Sequence, residues 1–220
     1  MLKDVKLGFQ LLKYSYRLNS NIMISGAILL IGVLVEILSK GTSLIGGVYF
    51  MLAGMFVYQL ILSMDISQMI QSTGMKKRLQ LTIPVIASTL VYMGIYTFLV
   101  IERAVLIHLG VADRDVLMYT LFNIIAVIFT MFLFTSICYK YYVAGLIVFL
   151  ATFLISFSGL QMGSGSDFAA FICNMNYGVF VILGYAVILF GAALEYFIGK
   201  LLYRKPLSEF AFRGMFRDAK

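Results

Sequence analysis

Apolar positions in this chain come in long unbroken runs. Six stretches, 21–38, 44–64, 82–101, 116–137, 142–160 and 177–198, are almost continuously hydrophobic. A helix rises 1.5 Å per residue, so about 20 such residues match a hydrocarbon core of about 30 Å. Spanning strands are about ten residues long and alternate in polarity, which these runs do not. The pattern therefore predicts an all-α integral membrane protein with six transmembrane helices.

The polar positions between the runs orient them. With the N-terminus inside, the inner segments hold 14 of the 17 Lys and Arg residues, and only Lys40, Arg103 and Arg114 fall outside. Cationic residues gather on the cytoplasmic side of membranes. Both termini are therefore expected in the cytoplasm, and the number of spans is expected to be even. The chain reads as a single transmembrane domain: an N-terminal segment over 1–20, a six-helix bundle over 21–198 and a basic cytoplasmic tail over 199–220. A multi-pass position in the plasma membrane follows.

Outside the spans the periodicity changes. Leu2, Val5, Phe9, Leu12 and Tyr16 recur at steps of three and four, flanked by Lys3, Lys6, Lys13 and Arg17. That predicts an amphipathic helix suited to the inner interface, with an ordinary cytoplasmic lead-in whose lysines snorkel as the alternative. The tail mixes Phe210, Phe212, Met215 and Phe216 with Arg213 and Arg217 beyond Pro206, which suits a membrane surface or a protein partner. The connection over 161–176 starts Gly/Ser-rich and turns apolar from Phe168 to Ile172. Two readings stand for it: a re-entrant segment covered by protein, or a partly buried outer loop.

Composition narrows the function classes. The chain of 220 residues is 62% hydrophobic and 12% charged, against about 25% charged residues in a soluble domain. Its net charge of +7 is explained by the topogenic loops, so no nucleic-acid partner is expected. The first run lacks a small-residue cleavage site and is expected to be retained. Cys138 and Cys173 fall on opposite sides of the predicted bilayer, so no disulfide joins them. No paired carboxylates, no metal-ligand spacing and no nucleophile motif occur, and His108 is the only histidine. The chain is read as a non-enzyme without metal or cofactor. It lacks a phosphate-binding P-loop, so any ATP and Mg would be held by a partner chain.

The acidic residues near the spans, Glu36, Glu102 and Glu195, fall close to span ends. Glu36 stands four residues before Lys40, an i,i+4 pair, and Glu195 lies near Lys200. All three acids are expected as paired or snorkelling end charges, with a coupling role as the alternative. Uncharged polar residues such as Gln59, Asn123 and Thr130 read first as helix-packing contacts, with a cargo path as the alternative.

One inner segment stands out. Asp65 with Gln68 three residues on forms a helix-starting box. Ile66, Met69, Ile70 and Thr73 then share one face, and Gly74 supplies a C-terminal stop. Lys76, Lys77 and Arg78 follow, and Pro84 falls in the first turn of the third run. The cations are accounted for by topology. The capped helix is not: about two turns are unstable alone, so it needs lipid or a protein to pack on.

The stretch SQMIQSTGMKKRLQLTIP, residues 67–84, resembles the first cytoplasmic loop of six-helix permeases of the type-two ATP-binding-cassette exporters. Gly74 and Met75 stand where many members carry a Pro-Tyr pair. The resemblance implies a short cytoplasmic coupling helix between spans two and three. Ser67, Met69, Ile70, Ser72, Thr73, Gly74 and Met75 would dock on a cytoplasmic ATPase subunit. Lys76, Lys77 and Arg78 would hold the loop at the lipid surface or pair with acids of the ATPase. The implied partners are that ATPase, membrane lipids and a second copy or related permease. The implied activity is export of a hydrophobic or amphipathic cargo, a peptide or a lipid-like molecule. An ion-coupled secondary transporter and a non-transporting scaffold or immunity protein remain as alternatives.

Overall fold

The computed structural model describes residues 18–65, 77–138, 140–161 and 167–205, with Lys6, Gln10 and Gly74 besides. Among the described residues, all regular structure is helical. The elements are α1 (Leu18–Ser39), α2 (Leu44–Asp65), a π-helical turn (Arg78–Thr82) running into α3 (Ile83–His108), α4 (Arg114–Cys138), α5 (Tyr142–Gln161), α6 (Asp167–Cys173) and α7 (Tyr177–Leu202). Each of the six apolar runs folds as one helix. Four of these, α1, α3 with its π turn, α4 and α7, are long and apolar enough to cross a bilayer. By length and composition that marks a multi-pass membrane protein. The other two, α2 and α5, contain 22 and 20 residues.

The bundle is organised around α4, which packs against α2, α3, α5, α6 and α7. Most of its residues are buried, with Leu117, Met118, Leu121, Ile124, Ile128, Met131 and Phe132 fully so. A helix that is hydrophobic all round belongs in an interior. The outer helices bury one face and present the other, as α1 does with Ile22, Met23, Leu30, Leu34 and Leu38 exposed. In a bilayer such faces meet lipid tails, which solvate them as well as a protein core would.

The turn between α1 and α2 is held by two residues with positive φ, Lys40 at 50° and Gly41 at 72°. Glycine is needed at 41, because the Arg103 guanidinium fills the space that a Cβ would take. At the start of α7, Asn176 caps the helix, its Oδ1 accepting from the Gly178 N–H at 2.9 Å.

Pro84 does more than open a span. Its ring has no N–H to bond the Gln80 carbonyl and crowds that oxygen. The backbone widens just before it, and the Ile83 N–H reaches the Arg78 carbonyl across the π turn. Helical structure thus runs without a break from Lys77 to His108. The π turn packs on α7 and α2, with Leu81 placed directly over Gly199.

The apolar piece of the 161–176 connection is the short helix α6. Its Ile172 is buried in the core, and it packs beside the start of α4. The Arg114 guanidinium donates to the Met175 carbonyl at 2.9 Å, and the Cys173 thiol approaches the Asp115 carbonyl at 3.6 Å. The N-terminal amphipathic segment, apart from Lys6 and Gln10, and the tail over 206–220 lie outside the described residues.

Candidate functional site

One line of polar groups inside the bundle follows the seam where α3 and α7 run against each other with α4 behind them. Four-residue steps on α3 align Ser88, Tyr92 and Tyr96 on one face. On α7, Gly184, Gly191 and Glu195 at steps of seven and four do the same.

At the Arg78 end of the seam sits the carboxyl of Glu195, only 4% exposed. Ser88 Oγ of α3 donates to its Oε2 at 2.8 Å, and Thr135 Oγ1 of α4 donates to its Oε1 at 3.1 Å. Glu195 makes no ion pair among the described residues. One turn along, Tyr92 meets Phe132 edge-on with ring centroids 5.1 Å apart, and Phe132 fills the space left open by Gly191. The Tyr92 hydroxyl is buried without a hydrogen-bond partner.

Further along, hydroxyls tie α3 to α7 at successive turns. Tyr96 fills the space left open by Gly184 and donates to the Val181 carbonyl at 3.4 Å. The hydroxyls of Thr97 and Tyr185 lie 2.7 Å apart, and Tyr177 donates to the Val100 carbonyl at 2.6 Å.

At the opposite end Arg103 is fully buried. Its Nη1 and Nη2 grip the Glu36 carboxylate at 3.1 and 3.2 Å, and Nη1 also donates to Glu102 at 2.8 Å. Two carboxylates thus share one guanidinium, whose Nε has no hydrogen-bond partner. The Glu36 side chain reaches Arg103 past Gly46, where a Cβ would lie 2.6 Å from Glu36 Cγ. A buried charge is tolerated when it is paired and hydrogen-bonded, and these glycines make the pairing possible.

Both acids thus differ from their expected roles as end charges. Glu36 pairs with Arg103 and not with Lys40, because α1 ends at Ser39 and Lys40 turns to positive φ, which breaks the i,i+4 geometry. Glu195 does not face Lys200. Their five-residue separation puts them about 140° apart around a helix; Lys200 is exposed while Glu195 points inward.

No protein-family model, curated protein or solved structure matches this chain.

Of the residues expected at a coupling surface, Gly74, Lys77 and Arg78 are described, and all three are exposed. Ser67, Met69, Ile70, Ser72, Thr73, Met75 and Lys76 lie outside the described residues. Of the three considered for a cargo path, Asn123 and Thr130 stand two turns apart on α4 and are buried. Each bonds back to its own helix, Asn123 to the Tyr119 carbonyl and Thr130 to the Ala126 carbonyl, both at 2.9 Å. Gln59 is placed in α2, and its side chain is outside the description. Cys138 ends α4 and Cys173 lies beside its first turn. Twenty-five residues of helix separate them by about 35 Å, and neither forms a disulfide.

The convergence of Ser88, Thr135 and Glu195 from three helices is what sequence reasoning missed. Its trace was present as the hydroxyl-bearing face of α3 and the Gly191–Glu195 step on α7.

Proposed function

We propose that this chain is the transmembrane permease subunit of an ATP-driven exporter, with six crossings and both termini in the cytoplasm. It pairs with a second copy or a related permease and works with a separate ATPase chain. That ATPase holds ATP and Mg and drives export of a hydrophobic or amphipathic cargo. The observation that carries the reading is the resemblance of the 67–84 run to the first cytoplasmic loop of such permeases, with its cationic triplet and helix-opening proline.

The geometry beside that run supports it. Gly74, Lys77 and Arg78 are exposed. Immediately after them the π turn packs on both α7 and α2. A push on the loop would therefore act on three helices as a rigid body and shift the bundle between two packed arrangements. The large apolar surfaces left on α1, α5 and α7 suit both lipid and an apolar cargo moving between two such subunits.

The test is copurification with an ATP-binding-cassette ATPase co-expressed with this chain, chosen from a neighbouring gene where one is found. Polar replacement of Met69 and Ile70, and charge reversal at Lys76, Lys77 and Arg78, are each expected to abolish capture of the ATPase while the permease remains folded. Survival of ATPase binding through both changes would end the coupling assignment.

A further inference from the structure

We propose that Glu195 is a proton-binding site of the bundle, taking up and releasing one proton within the packed junction of α3, α4 and α7. The inference stands apart from the exporter reading, which assigns Glu195 nothing.

The argument rests on where the hydrogens can go. The Ser88 hydroxyl has one hydrogen and two acceptors in reach: Glu195 Oε2 at 2.8 Å and the Val85 carbonyl of its own helix at 3.0 Å. Thr135 has the same choice, between Glu195 Oε1 at 3.1 Å and the Phe132 carbonyl at 3.1 Å. With Glu195 ionised, both hydroxyls turn to the carboxylate. With Glu195 protonated, its own O–H donates to Ser88 Oγ, and the Ser88 hydrogen turns to Val85. Backbone carbonyls keep their helical bonds in either case, so both states are satisfied with the heavy atoms in place. On release, the Glu195 O–H bond breaks, its electron pair stays on the carboxylate, and water or buffer takes the proton.

A fixed ion pair would defeat this exchange, and the surroundings differ sharply from those of Glu36. Around Glu195 the titratable groups on the packed elements are Tyr92 on α3, Cys138 on α4, Tyr196 and Lys200 on α7, Arg78 in the π turn and Lys140 after α4. None of them is ion-paired with Glu195 among the described residues. The buried Tyr92 hydroxyl, one turn from Ser88, has no hydrogen-bond partner. An ionisable side chain held inside a membrane bundle without a counter-charge is costly, and such groups take part in proton movement. The site also lies two turns from the π turn, an irregularity that recurs where helices do work.

The test uses the full chain in phosphatidylcholine nanodiscs with carbonyl-labelled glutamate, which confines the signal to its four glutamates. Infrared difference spectra are recorded from about pH 9 down to about pH 5, the span over which buried carboxyls titrate. A protonated-carboxyl stretch that appears as pH falls and is lost in Glu195→Gln is the expected result. If the Gln variant does not fold, Ser88→Ala reads the same site. It keeps the acid and removes the partner of its O–H, so the band is expected to move to higher frequency. A titrating band left unchanged by both variants, or no titrating glutamate band in the wild type, overturns the proposal.

Discussion

Arg103 holds the densest charge in the bundle, one guanidinium facing the carboxylates of Glu36 and Glu102 with no exposure of its own. Removing one partner of such a pair strands the other in a poor solvent. Arg103→Met is therefore expected to destabilise the fold by about 3–5 kcal/mol, read as a lower thermal midpoint in detergent. The double variant Glu36→Met with Arg103→Met is expected to regain most of that loss. A single variant as stable as the wild type would mean that Glu36 finds another donor. Cys173 offers a second measurement at this scale. Partial burial pushes its thiol above the ordinary range, Asp115 and Asp113 push the same way, and Arg114 opposes them. A raised value means less thiolate near neutral pH, so alkylation should lag behind a free thiol there and catch up only as pH rises. Asp113→Asn and Asp115→Asn remove opposing charge and are each expected to speed alkylation at fixed pH. Neither the Glu36–Arg103 pair nor the Glu195 junction was legible residue by residue. Sequence spacing reports only neighbours on the same helix, and these partners lie 67, 60 and 107 positions apart.

At the scale of the element, the π turn before α3 has the clearest cause and consequence. Pro84→Ala restores an N–H for the Gln80 carbonyl and removes the ring that crowded it, so the turn is expected to relax to an α-helical one. That removes one residue of slack and rotates the preceding chain by about 100°. Leu81 would then leave Gly199, which it now covers. Cysteines at 81 and 199 are expected to crosslink in the otherwise native chain and to lose most of that crosslinking with Pro84→Ala. Equal crosslinking in both would show that the turn does not depend on the proline. The sequence placed Pro84 at the opening of a span, which holds for α3. The π turn itself needed the contacts with α7 and α2, because only packing can make a widened turn preferable to a break.

For the whole molecule, the expected topology puts Cys173 on the outer side and Lys77 on the inner. Cysteine introduced at Lys77 in a Cys-free background should react with a membrane-impermeant thiol reagent only after the membrane is opened. Cys173 should react in intact cells. Reversed labelling would invert the orientation drawn from the Lys and Arg distribution, and labelling of both sites from outside would contradict an odd number of crossings between them. The same experiment examines α5 as a crossing, since the two sites are separated by α3, α4 and α5.

The runs of apolar residues determined by themselves that the chain is helical and membrane-embedded, and nearly where each helix begins and ends. Continuous hydrophobicity over about 20 residues leaves the backbone no other way to satisfy its hydrogen bonds in lipid. The Gly/Ser and Asn breaks between the runs were equally local and equally legible. Tertiary structure alone decided which helix occupies the centre. All six runs are hydrophobic enough to be buried, and the choice of α4 rests on how glycines and large side chains of its neighbours fit around it. Tertiary structure also decided that Glu36 turns to Arg103 and Glu195 to Ser88 and Thr135. A buried acid takes the partner that geometry brings within about 3 Å, and that partner stands on another helix.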